Sequence, residues 1–91
     1  MPDPIYIHAV DLIEAEVGGE IVLLHTGNWQ YFEFDRTGGA IWKLLKTPMS
    51  LDELVTQLTA RFEVTPACCA RDVDAFLAES VSNGLLVVRG V

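Results

Sequence analysis

Hydrophobic positions follow a two-residue rhythm in the first third of the chain and a three-to-four-residue rhythm in most of the rest. Val10 to Val17 reads as a strand with imperfect alternation, and Gly18-Gly19 supplies a tight hairpin turn. Glu20-Ile21-Val22-Leu23-Leu24-His25 is almost wholly apolar, the pattern of a strand at the centre of a sheet. Thr26-Gly27-Asn28 marks the next turn, with Gly27 and Asn28 both tolerant of positive φ. Trp29 to Phe34 is a third strand dense in aromatics. These three segments predict an antiparallel meander.

The period then changes. Asp35 is placed to cap a helix whose apolar face is Ile41, Trp42, Leu44 and Leu45, and Pro48 stops it. Gly38-Gly39 would weaken a helix interior by about 1 kcal/mol each, so the pair is read as a site of close approach near the helix start. Ser50 with Glu53 forms a capping box, after which Leu51, Leu54, Val55, Leu58 and Phe62 fall on one stripe. Thr65-Pro66 opens a third helix with Cys69, Val73, Phe76, Leu77 and Val81 on its apolar side, and Asn83-Gly84 closes it. Leu85 to Val88 is a short final strand. The expected order is β-β-β-α-α-α-β in one domain spanning 1–91, an α+β winged helix-turn-helix, with residues 1–4 loose because they hold two prolines.

Length and charge narrow the function. A chain of 91 residues buries only about 60–65% of the surface its unfolded form exposes, which leaves little room for an enclosed active site. Thirteen acidic residues against six basic ones give a net charge of −7. Such a domain repels phosphate backbones and favours cationic peptides or proteins as partners. The winged-helix pattern raises DNA binding, but the third helix sets Arg71 against Asp72, Asp74 and Glu79, a poor balance for a recognition helix. No signal peptide is expected from Met1-Pro2-Asp3-Pro4, and no apolar run approaches the roughly 20 residues a membrane span needs. The adjacent Cys68 and Cys69 do not form an easy disulfide, and a reduced, cytoplasmic setting fits them.

Candidate chemistry is sparse. His8 and His25 have no partners at metal-ligand spacing, and no cofactor site is expected. The first-turn position of Cys68 and Cys69 is one that lowers a thiol pKa, yet a small structural cysteine accounts for them better. Ser50-Leu51-Asp52 lacks the Asp-Ser-Leu order of a carrier-protein serine, and the capping box already explains Ser50. What remains is the third strand. Trp29, Tyr31 and Glu33 share one face; Gln30, Phe32 and Phe34 share the other. Either one set packs in the core and the termini cover the other, or this strand is a free edge beside the third helix where an extended peptide adds a further strand.

The motifs, taken in order, resemble the PqqD-like family. The run Ile21-Val22-Leu23-Leu24, a turn, Tyr31-Phe32-Glu33-Phe34-Asp35-Arg36-Thr37-Gly38, then Ala40-Ile41-Trp42-Lys43-Leu44-Leu45, is similar to that family's strand pair followed by N-x-T-G-x-x-I-W-x-L-L. Ser50 to Val55, Asp72-Val73-Asp74-Ala75-Phe76-Leu77 and Gly84-Leu85-Leu86 continue the resemblance over about residues 10–88. Phe34-Asp35 stands where the family has Leu-Asn, and Gly39 is an additional glycine.

The resemblance implies a non-catalytic recognition element for ribosomally made, post-translationally modified peptides. Such a domain captures the leader of a precursor peptide as a strand added beside the third strand and against the third helix. It then presents the peptide to a leader peptidase and to a cyclase or other modifying enzyme. A lasso-peptide pathway is the favoured setting, with a pyrroloquinoline quinone peptide chaperone as the alternative. On that basis the backbone of Gln30, Tyr31, Phe32 and Glu33 is expected to pair with the peptide. Phe32, Val73 and Leu77 are expected to line its apolar pocket. Asp74 and Glu33 are expected to favour basic peptide residues, and Arg71 an acidic one.

Overall fold

A computed structural model describes residues 4–89. The elements run β1 (Ile5–His8), β2 (Leu12–Val17), β3 (Glu20–His25), β4 (Tyr31–Phe34), α1 (Arg36–Leu44), α2 (Leu51–Arg61), α3 (Pro66–Ser82) and β5 (Leu86–Arg89). The expected meander is present as β2-β3-β4, with β3 central. Two strands differ from expectation. β1 adds an element, and it pairs antiparallel with β5 from Ile5 opposite Arg89 to His8 opposite Leu86. The last strand therefore joins the N-terminal segment in a separate two-stranded sheet. Of the expected loose N-terminus, residues 1–3 lie outside the described residues.

The β3–β4 turn also departs from expectation. Neither Gly27 nor Asn28 is left-handed; Trp29 is, at φ 58°, so it belongs to the turn and β4 begins at Tyr31. Asn28 holds this turn from both ends of its amide. Its Oδ1 accepts from the Gln30 amide at 3.0 Å, and its Nδ2 donates to Gln30 Oε1 at 3.3 Å.

Three helix starts are capped as their sequences require. Asp35 Oδ1 accepts from Gly38 N at 2.8 Å. Ser50 and Glu53 make both bonds of the capping box, and Thr65 accepts from Cys68 N ahead of Pro66. α3 ends in a Schellman closure. Gly84 sits at φ +76°, its amide donates to Val81 O at 3.1 Å, and the Leu85 amide donates to Ser80 O at 2.9 Å. That closure turns Leu85 back beneath the helix, where it is 1% exposed.

The core joins all these pieces. Ile21 and Leu23 of β3 meet Ile41, Trp42 and Leu45 of α1 and the C-cap behind it, Leu54 and Leu58 of α2, and Val73 and Leu77 of α3. Each such side chain contributes about 1.5–3 kcal/mol on burial. Gly39 is where α1 crosses β3: a Cβ there would stand 3.1 Å from Ile21 Cγ1. At Gly38 it would stand 3.3 Å from Phe34 Cβ. The glycine pair is thus a close-approach site, and it draws α1 against the sheet.

Candidate functional site: the open edge of β4 and the groove beside α3

The parity of β4 follows from its pairing. Phe34 lies opposite Ile21 and Phe32 opposite Leu23, so both phenylalanines share the core-side face with two fully buried residues. Tyr31 and Glu33 lie on the outer face, where the Tyr31 hydroxyl donates to Glu33 Oε1 at 3.2 Å. Local desolvation, followed by the Glu33 carboxylate, holds the Tyr31 phenol above its usual pKa.

Backbone direction alternates in the same way. His25 N donates to Gln30 O at 2.8 Å, which makes that pair a hydrogen-bonded one. Counting along the antiparallel register, Phe32 and Phe34 also turn their backbone groups toward β3. Tyr31 and Glu33 turn theirs away from it. Among the described residues no strand pairs with that side of β4, so these two residues present unpaired N–H and C=O groups along an open edge.

A groove of about 370 Å³ runs between this edge and α3. Its floor is Phe32, Phe34, Phe76 and Leu85. Phe34 ties the floor together, with its ring centroid 5.1 Å from that of Phe76 and 5.6 Å from that of Trp42. Asp35 and Glu33 border the strand side; Glu79, Ser80 and Asn83 border the helix side.

The structure brings Phe32 and Glu33 to this groove, sets Tyr31 on the open edge beside it and places the other expected residues elsewhere. Gln30 spends its amide on Asn28 and its carbonyl on His25. Val73 and Leu77 are 1% and 0% exposed and belong to the core, not to the groove wall. Val73 also backs a separate apolar cleft of about 120 Å³ formed with Ile41, Leu58, Phe62 and Val64. At about 100° per residue, Arg71 and Asp74 stand roughly 140° and 160° around α3 from Phe76, on its far side. Asp74 there borders a shallow surface with Tyr6 and Asp52. Phe76, expected on the apolar stripe of α3, packs against the core and also floors the groove, where Glu79, Ser80 and Asn83, not among the expected site residues, join it. Their spacing of three, four and seven residues from Phe76 places them on its side of the helix and is the available signal.

The remaining candidates are structural in their contacts. His8 stacks on Trp42, and His25 Nδ1 accepts from Gly27 N at 3.0 Å. Cys68 is exposed and Cys69 buried; burial, then Asp72, pushes the Cys69 thiol pKa up, away from reactivity. Among the described residues no three metal-capable side chains converge, and no helix is long and apolar enough to cross a membrane.

Fold and groove define a small winged helix-turn-helix domain with an open sheet edge facing a helix. The chain belongs to the PqqD family: residues 20–86 match the family profile described as Coenzyme PQQ synthesis protein D (PqqD). Among solved structures it is similar to "TbiB1 in Complex with the TbiA(beta) Leader Peptide", at 30% identity and a TM-score of 0.82, over 88% of this chain and 93% of that one. It also shares its fold with "Lasso peptide synthetase B1 complexed with the leader peptide", at 22% identity and a TM-score of 0.80, over 90% of this chain and 96% of that one. A comparison with curated proteins returned no match.

Proposed function

We propose that this protein is a non-catalytic leader-peptide-binding protein of lasso-peptide biosynthesis. It captures a ribosomal precursor peptide by strand addition to β4, beside α3, and presents it to modifying enzymes. The observation that carries this reading is the pair of outward backbone positions, Tyr31 and Glu33, on an unpaired edge beside a groove floored by phenylalanines. Main-chain bonds to that edge supply affinity for any extended peptide, and alternate side chains dropping into the groove supply selectivity. The 30%-identical TbiB1 was solved with a leader peptide, which supports the same class of ligand here. The partners that follow are the precursor peptide, a leader peptidase and a cyclase, in the cytoplasm.

DNA binding is not supported by the exposed surface of α3, where Arg71 is outnumbered by Asp72, Asp74 and Glu79. The family description keeps one second reading in play, a peptide chaperone of pyrroloquinoline quinone synthesis.

The test is calorimetric titration of the full chain with two synthetic peptides, the leader of a lasso precursor and the quinone precursor. Tight binding of the first alone supports the lasso reading, and tight binding of the second alone selects the quinone chaperone. N-methylation of alternate backbone amides in the bound peptide then checks strand addition. Methylation at edge-facing positions is expected to weaken binding at least tenfold, and at the intervening positions to leave it nearly unchanged. Loss that ignores this alternation would rule out pairing with β4.

A further inference from the structure

Resting on the peptide-binding reading, we infer that the groove between β4 and α3 selects a lysine or arginine side chain of the bound peptide, seating its aliphatic stem on the phenylalanine floor and its cationic head at Glu79. Four observations converge on this. The floor is aromatic, with Phe34 and Phe76 tilted 59° to one another at 5.1 Å, a surface that accepts both methylene groups and a cation. The rim is rich in acceptors: the exposed acidic residues Glu33, Asp35 and Glu79 line it, and no lysine or arginine does.

Ser80 adds the third observation. It is 3% exposed and brings a hydroxyl to the lining of the groove. A wholly apolar side chain seated there would leave that hydroxyl facing hydrocarbon, whereas an ammonium or guanidinium group donates to it. The fourth is the polarity of α3. Its C-terminal turn, which closes the groove at Ser80 and Asn83, carries no basic residue of its own, and the negative end of the helix dipole favours a cation at that place. An acidic peptide residue would meet only like charge. This assigns charge selectivity to Glu79 in place of Asp74, which lies on the other side of the helix.

The experiment is a display selection of random twelve-residue peptides on the full chain, followed by affinity measurements on the best binder. Enrichment of lysine or arginine at one position is expected on the wild type, with a shift to aspartate or glutamate there on Glu79→Lys. In the best binder, replacing that residue by norleucine is expected to weaken binding about three- to tenfold, and Glu79→Gln to do the same. Glu79 is exposed, and an unchanged melting temperature confirms that each variant folds. Enriched peptides that bind the Lys, norleucine and Glu forms equally would overturn the inference and leave strand addition standing. A selection that enriches no peptide at all would overturn both.

Discussion

His8 lies flat on Trp42. The two rings are 9° from parallel with centroids 3.7 Å apart, and His8 Nε2 donates to the Trp42 carbonyl at 2.8 Å. Trp42 in turn donates from Nε1 to Glu14 Oε1 at 2.7 Å. One tryptophan of α1 thus ties β1 and β2 to the helical layer.

The junction makes stability depend on pH. Burial, the largest influence, lowers the His8 pKa from its usual 6.5, with Lys46 acting in the same sense and the Trp42 carbonyl and Glu14 opposing. The unfolded chain therefore takes up this proton first as pH falls. Stability is expected to decline as pH drops from about 6.5 through the lower folded pKa, and to level off below it. Thermal melts of wild type and His8→Phe between pH 7.5 and 5 isolate the effect. The wild-type advantage is expected to shrink with acid, and a constant difference would show that His8 does not titrate on unfolding.

The open edge gives a pair of proline substitutions with opposite outcomes. Glu33 turns its amide outward from an edge strand, a position that tolerates proline. Glu33→Pro is expected to reduce leader-peptide affinity at least tenfold while the protein still melts cooperatively. Phe32→Pro removes a ladder bond to Leu23 and a groove-floor ring together, and is expected to lose the folded state. Circular-dichroism melts and peptide titration on both variants decide this, and undiminished binding by folded Glu33→Pro would move the peptide off this edge.

Much of this architecture is legible locally. Asp35, Ser50 with Glu53, Thr65-Pro66 and Asn83-Gly84 each act within a few residues, so their caps can be read from spacing alone. β1 is not legible in the same way. Ile5 to His8 is a short run after a proline, and its pairing partner β5 lies at the opposite end of the chain. The groove was half legible for a similar reason. Phe76 and Leu77 are adjacent apolar residues about 100° apart on one helix. Which of them faces the core depends on where α1 and the sheet pack, and no local pattern carries that information. The same rotation separates Glu79, at the groove, from Arg71 and Asp74, away from it.

Those two neighbours should therefore fail differently. Leu77 is fully buried, and Leu77→Ala is expected to cost about 2–5 kcal/mol of stability. Phe76 is half-buried on the groove floor, and Phe76→Ala is expected to weaken peptide binding about tenfold or more while costing less stability. Chemical denaturation paired with peptide titration separates the two. Equal loss of stability with equal affinity in both variants would place Phe76 in the core and not at the ligand.

Gly39 tests the helix crossing. In an exposed helix, glycine to alanine gains about 1 kcal/mol. Here the new Cβ would meet Ile21 Cγ1 at 3.1 Å, and Ile21 is 0% exposed, so it yields only by disturbing the core around it. Gly39→Ala is expected to lower the melting temperature despite its better propensity, and Gly39→Val to lower it further. A rise in the alanine variant would show that α1 shifts away from β3 at little cost.

Trp29 holds the one left-handed non-glycine backbone among the described residues, and its side chain is 70% exposed. The left-handed region costs a bulky residue about 1–2 kcal/mol, and so exposed an indole recovers little of that by packing. Asparagine tolerates the same backbone, so Trp29→Asn is expected to raise stability by about 0.5–1 kcal/mol, several degrees for a domain of this size. Strain of this kind persists where a residue serves a ligand, and Trp29 stands two residues before the open edge at Tyr31. The same variant is therefore expected to bind leader peptide more weakly as it melts higher. Higher stability with unchanged affinity would reduce Trp29 to an exposed turn residue. Lower stability would mean that the indole packs on the folded domain more than its exposure implies.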